Sequence, residues 1–125
     1  MTSTSNDLFS IQKIVHGDGV IAASLAVNPD SEILKGHFPG HPVVPGACML
    51  QIVKEVLESV LNQPVRLKKA EQLKFMSMID PETTTTVQLD MSYKPAEDDL
   101  LITIAKLSNA EIVYFKLQGS FAKMQ

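Results

Sequence analysis

The 125-residue chain has a single cysteine, Cys48. No internal disulfide can form, so a reducing compartment suits it and its fold must rest on a hydrophobic core. Positive charge is not in surplus: 11 Lys and Arg against 14 Asp and Glu leave a formal net charge of −3, which gives no reason to expect nucleic acid as a partner. No apolar run approaches the roughly 20 residues that a membrane span needs. Met1 to Asp7 is polar and lacks a basic lead into an apolar stretch, unlike a signal peptide. Internal repeats and dividing linkers are absent as well. What remains is 45% hydrophobic and long enough to bury one core, so the expectation is one domain over residues 1–125 in the cytoplasm.

Against this plain background one stretch stands out, running from His37 through Phe38, Pro39, Gly40, His41, Pro42, Val43, Val44, Pro45 and Gly46 to Gln51. Each proline fixes its own φ and pushes the residue before it out of the α region, so Phe38, His41 and Val44 belong to a rigid, non-helical loop. Pro45 suits the first turn of a helix, where its missing N–H costs nothing, and Gly46 allows close approach to the backbone. Free amides at such a start, helped by the helix dipole, can hold a polarised or anionic oxygen. A candidate base, a candidate oxyanion site and the polar side chain of Gln51 thus share one short segment. His37 and His41 lie four apart, but without neighbouring carboxylates or thiols they predict no metal site. Cys48 reads as a small buried side chain.

The elements around this stretch follow from periodicity. Leu8 to Val15 and Val20 to Val27 read as a hairpin across His16-Gly17-Asp18-Gly19, with His16 facing solvent. Asn28-Pro29-Asp30-Ser31 ends the second strand, and Ser31 to Lys35 suits one short turn. From Pro45 to Asn62 an apolar stripe recurs at helical spacing and is wide enough to bury most of the helix, leaving Gln51, Glu55, Glu58 and Asn62 as its polar face. Arg66 to Met76 predicts a strand. Val87, Leu89, Met91 and Tyr93 then alternate with polar residues as in a half-buried antiparallel strand, with Thr83 to Thr86 as its lead-in. Leu100 to Leu107 and Ile112 to Ala122 complete the set, joined by a turn at Ser108-Asn109-Ala110. Two strands, a long helix and four more strands predict an α+β fold, an antiparallel sheet wrapped around one long central helix.

The segment from Gly36 to Gly46, preceded by Val27-Asn28-Pro29, resembles the active-site signature of the hot-dog-fold 3-hydroxyacyl-acyl-carrier-protein dehydratases of fatty-acid synthesis. That resemblance implies a dimer with its two sites at the interface. It also implies a substrate on the phosphopantetheine arm of acyl carrier protein or on CoA, and no further cofactor. The family's catalytic histidine falls on His37 and its carbonyl-polarising amide on Gly46. Phe38, Gly40, Pro45, Met49 and Glu55 fall around the substrate, with Phe38 and Met49 fit either to line an acyl tunnel or to pack the core. The chemistry has physical reasons behind it: a base removes the C2 proton, a donor holds the enolate-like oxygen, and an acid protonates the leaving C3 hydroxyl. Histidine suits the first task because its ordinary pKa lies near neutrality.

The acid is where this sequence departs from the family. A Glu or Asp is expected fourteen residues after the histidine, and Gln51 stands there; glutamine hydrogen-bonds but delivers no proton at neutral pH. One turn later the family commonly carries a glutamine, and here Glu55 takes that place, so amide and carboxylate are exchanged. One turn is roughly 5.4 Å, which keeps Glu55 from substituting unless the substrate moves. Three readings follow: a relocated acid at Glu55, a carboxylate from a second hot-dog chain in a heterodimer, or a chain that binds acyl groups or hydrolyses thioesters. Gln51 weighs against the thioesterases too, whose acid also sits on the central helix. Arg66, Lys68, Lys69 and Lys74 form a local basic cluster that either steers an acidic acyl carrier protein or is a solvated strand face.

Overall fold

A computed structural model describes residues 8–35 and 43–124. Strands β1 (Phe9–Gly17) and β2 (Val20–Val27) form the expected hairpin. Asp18 and Gly19 turn it with φ of 53° and 75°, the positive values that a two-residue hairpin turn demands. A four-residue helix, α1 (Glu32–Lys35), precedes the long helix α2 (Gly46–Leu61). Four strands follow: β3 (Val65–Phe75), β4 (Thr86–Pro95), β5 (Leu100–Asn109) and β6 (Ile112–Lys123). They join the hairpin in one antiparallel sheet of order β1-β2-β4-β5-β6-β3. The strand that follows the helix therefore lies at the far edge, and β1 and β3 are the free edges.

The sheet presents its apolar face to α2. Ile21 and Leu25 on β2, Leu89 on β4, Leu107 on β5 and Phe115 on β6 are fully buried with Val53, Val56 and Leu57 of the helix in one cluster. Fully burying side chains of this size is worth roughly 1.5–3 kcal/mol each before entropy is counted, so these layers hold the helix in place. Pro45 caps α2 in an extended conformation without a side-chain bond, and Asn62 ends it in the left-handed region at φ 57°. The helix is tied down at its far end by Glu58, whose Oε2 accepts the Val65 amide at 2.8 Å.

Three expectations need correction. Glu55, expected on the polar face of α2, is 6% exposed: its carboxylate is held by the Gln51 side chain one turn earlier, at the floor of a groove bounded by Ile11 of β1 and the end of the helix. Thr83 and Thr84 do not lead into the strand as expected. Asp80 captures their amides with its carbonyl at 3.2 and 2.8 Å and the Glu82 amide with its carboxylate, so contact with β2 starts where the Thr85 carbonyl accepts the Val27 amide at 2.9 Å, and β4 begins at Thr86. Ser108 and Asn109 remain paired in β5, and the turn falls at Ala110, φ 51°.

Candidate functional site

At the start of α2 helix geometry leaves the first amides without intrahelical acceptors. Cys48 N–H reaches back to the Pro45 carbonyl at 3.0 Å, and no acidic side chain occupies the first turn. The Gly46 and Ala47 amides are therefore the donors that a bound oxygen would meet. The segment before the helix is fixed by Val44 N–H donating to the Ile79 carbonyl at 3.1 Å. The end of β3 is fixed by Met76 N–H donating to Tyr114 at 2.8 Å. Between these two segments opens a cavity of about 400 Å³, lined among others by Pro45, Gly46, Met49, Phe75, Met76 and Met78.

Gly46 lets the Phe75 ring lie close to the start of the helix. A Cβ at this position would stand 2.7 Å from Phe75 Cε1 and 2.9 Å from Cζ. The Phe75 ring in turn packs against buried Phe115, with centroids 5.0 Å apart. The sequence offered no signal for Phe75, Met76 and Met78 as site residues. They reach the helix start only because β3 crosses to the far edge and runs back along β6. Met49, 3% exposed, belongs to the core and also lines this cavity.

Gln51 and Glu55 form a pair: Gln51 Nε2 donates to Glu55 Oε2 at 3.0 Å. The Gln51 amide is thus turned along the helix toward its C-terminus. Glu55 lines a second groove, of about 470 Å³, together with Ile11, Glu58 and Asn62. None of the described residues of this groove lines the Gly46 cavity. At 1.5 Å per residue Gln51 stands about 7.5 Å along the axis from Gly46 and Glu55 about 13.5 Å. Burial, and then the Glu55 carboxylate, push the Cys48 thiol above its ordinary pKa; Cys48 is a protonated core residue, as its sequence context indicates.

His37, Phe38, Gly40 and His41 lie outside the described residues. Of the expected docking residues, Lys69 is ion-paired to Glu71 at 3.1 Å, while Arg66, Lys68 and Lys74 are exposed along β3. His16 is exposed as expected, and its Nε2 lies 2.7 Å from the Tyr93 hydroxyl. Among the described residues no three His, Cys, Asp or Glu side chains gather as metal ligands, and no helix is long and apolar enough to cross a membrane.

A six-stranded antiparallel sheet curled over one helix, whose bare N-terminus opens into an apolar cavity, defines the hot-dog class. Within that class the match is to a dehydratase family. The model of the ApeI-like family, described as ApeI dehydratase, matches residues 13–117, and the chain belongs to that family. A 3-hydroxyacyl-[acyl-carrier-protein] dehydratase FabZ of Enterococcus faecalis is 22% identical over 117 residues, which cover 88% of this chain and 82% of the relative. Among solved structures, the dehydratase heterocomplex ApeI:P from Xenorhabdus doucetiae aligns with TM-score 0.68 and 16% identity, covering 97% of this chain and 99% of that one. A thioesterase enzyme from Staphylococcus aureus aligns with TM-score 0.63 and 13% identity, covering 94% of this chain and 93% of its own. At these identities the structural matches establish the fold.

Proposed function

We propose that the chain acts on 3-hydroxyacyl thioesters, dehydrating them to trans-2-enoyl thioesters, with the acyl group presented by an acyl carrier protein. The observation that carries this reading is the uncapped start of α2 at Pro45-Gly46, opening into an apolar cavity a few residues after His37 in the sequence. The thioester oxygen sits at the Gly46 amide, and His37 takes the C2 proton. As the C2–C3 double bond forms, the C3 hydroxyl accepts a proton and departs as water. The helix start strengthens this amide toward an oxygen that gains charge in the transition state, which is where binding accelerates the reaction.

The proton for the leaving hydroxyl comes poorly from this chain. Gln51 cannot give one, and Glu55 stands about one further turn from the amide, facing a different groove. A specific observation favours a second reading, in which a partner hot-dog chain supplies the carboxylate. Strand β3 is an open edge, and Leu73, Phe75, Met76 and Met78 at its end are 40–74% exposed. Such an edge calls for another strand. A second copy of this chain would bring another Gln51, whereas a sibling chain with Glu or Asp at that helix position would complete one of the two sites. The dehydratase heterocomplex with the matching fold is consistent with such an arrangement.

The test is the interconversion of a 3-hydroxyacyl and an enoyl thioester by the purified protein, alongside His37→Ala. Turnover that disappears in His37→Ala supports the assignment. Turnover unaffected by His37→Ala contradicts it.

A further inference from the structure

One side chain both crowds the start of α2 and lines the cavity beside it. Phe75 ends β3 at the open edge of the sheet. Its backbone stands opposite Phe115 of β6, and the two rings pack with centroids 5.0 Å apart. Phe115 is fully buried, so the inner ring is fixed and backs the outer one. Phe75 itself stays 52% exposed, an apolar surface whose removal from water the fold leaves to another occupant of the cavity.

The ring stands on the side toward which the helix start points. In a helix both the amide N–H and the Cα–Cβ bond lean toward the N-terminus, and Phe75 Cε1 and Cζ lie 2.7 and 2.9 Å from the place of a Gly46 Cβ. Bond lengths then put the nearer ring atom within about 5.7 Å of the Gly46 nitrogen. A thioester whose oxygen accepts this amide at about 2.9 Å has its C2 within about the same distance of that nitrogen. Gly46 and Phe75 line the cavity together, so an acyl chain that enters from the amide passes the ring with its first carbons.

We propose that Phe75 is a specificity-determining residue: its ring walls the C2 position of the bound acyl group, admitting 3-hydroxyacyl thioesters unbranched at C2 and excluding those with a methyl there. This rests on the function proposed above and narrows its substrate class. A 2-methyl-3-hydroxyacyl thioester still has a C2 proton to lose, so its rejection is steric rather than chemical. The added methyl meets the ring that already leaves no room for a Cβ on Gly46. A misfit of this size in an apolar pocket is worth about 10- to 200-fold in kcat/KM.

The discriminating variant is Phe75→Leu. Leucine lacks Cε1 and Cζ, the atoms nearest the Gly46 position, yet keeps an apolar side chain beside Phe115. Should it fail to fold, Phe75→Met takes its place in every comparison. Unbranched and 2-methyl 3-hydroxyacyl thioesters of N-acetylcysteamine are offered separately, the latter as both C2 epimers. The wild type is expected to favour the unbranched substrate about 10- to 200-fold in kcat/KM, and Phe75→Leu to reduce that ratio about tenfold. Met78→Ala, which trims a 74% exposed side chain of the same lining, is expected to keep the wild-type ratio. Equal use of the two substrates by the wild type overturns the proposal. So does an unchanged ratio in Phe75→Leu, or an equal shift in Met78→Ala. If the wild type turns over neither substrate, the functional reading fails separately. Selection is then read by calorimetric titration with the same two thioesters: a preference for the unbranched one that Phe75→Leu narrows supports the wall, and equal affinity or no binding by the wild type overturns it.

Discussion

Gly46→Ala tests the packing at the start of the helix. The added methyl would meet the Phe75 ring at 2.7 Å, inside van der Waals contact, so the ring must leave its place against Phe115. Overpacking in a core costs about 1–3 kcal/mol. Phe75 is 52% exposed and can swing outward, which holds the expected loss near the lower end, about 1 kcal/mol. For a chain of this size that lowers Tm by about 3–5 °C. Phe75→Ala removes the obstacle, so the double variant should be less destabilised than the sum of the two, with a coupling of about 1 kcal/mol. Chemical denaturation of the four proteins measures the coupling. Strict additivity would refute the claim that Phe75 and Gly46 share one space. If the Gly46 amide receives the thioester oxygen as proposed, turnover by Gly46→Ala should fall further than stability does, because the added methyl crowds that amide.

Three further perturbations follow from the contacts. Gly119→Ala should cost about 2–3 kcal/mol in denaturant melts, because its Cβ would collide with the Lys69 carbonyl across β6 and β3; a neutral result would contradict the close approach of those strands. Glu58→Ala should cost about 1–2 kcal/mol by unpairing the Val65 amide, whereas Lys54→Ala, without such a bond among the described residues, serves as the matched control. Cys48 should resist iodoacetamide at pH 8 in the folded protein and react freely in urea. Its folded pKa is raised by burial and then by Glu55, so above about pH 8.5 the unfolded chain sheds this proton while the fold keeps it. Stability should therefore decline above that pH in the wild type and decline less in Cys48→Ala; equal pH profiles would contradict the assignment.

Much of the architecture was legible because its signals are local. The alternation Val87, Leu89, Met91 fixes β4, and the width of the apolar stripe from Cys48 to Leu57 shows that α2 must be wrapped. Pro45-Gly46 marks the start of the helix within a residue, and Asn62 its end. Boundaries failed where side chains competed with pairing, as Asp80 does for the Thr83 and Thr84 amides. Glu55 failed for another reason: a charged residue at a polar spacing gives no warning that it will be buried with Gln51 as a donor.

The site was legible only in the part that is contiguous in sequence. Gly46 and Met49, three residues apart on one helix, share a cavity, but its other wall, Phe75 to Met78, comes from a strand that crosses the whole sheet and the residues just beyond it. Lys74, Lys116 and Lys106 likewise come side by side only through strand order, which pairs β3 with β6 and β6 with β5.

The most direct measurement is turnover of a 3-hydroxyacyl thioester by the wild type and by Gln51→Glu under identical conditions. A positioned acid contributes about 100- to 10,000-fold, so Gln51→Glu should exceed the wild type by about 100-fold or more. Equal turnover in the two proteins, or none in Gln51→Glu, would contradict a dehydratase scaffold that lacks its own proton donor at this position.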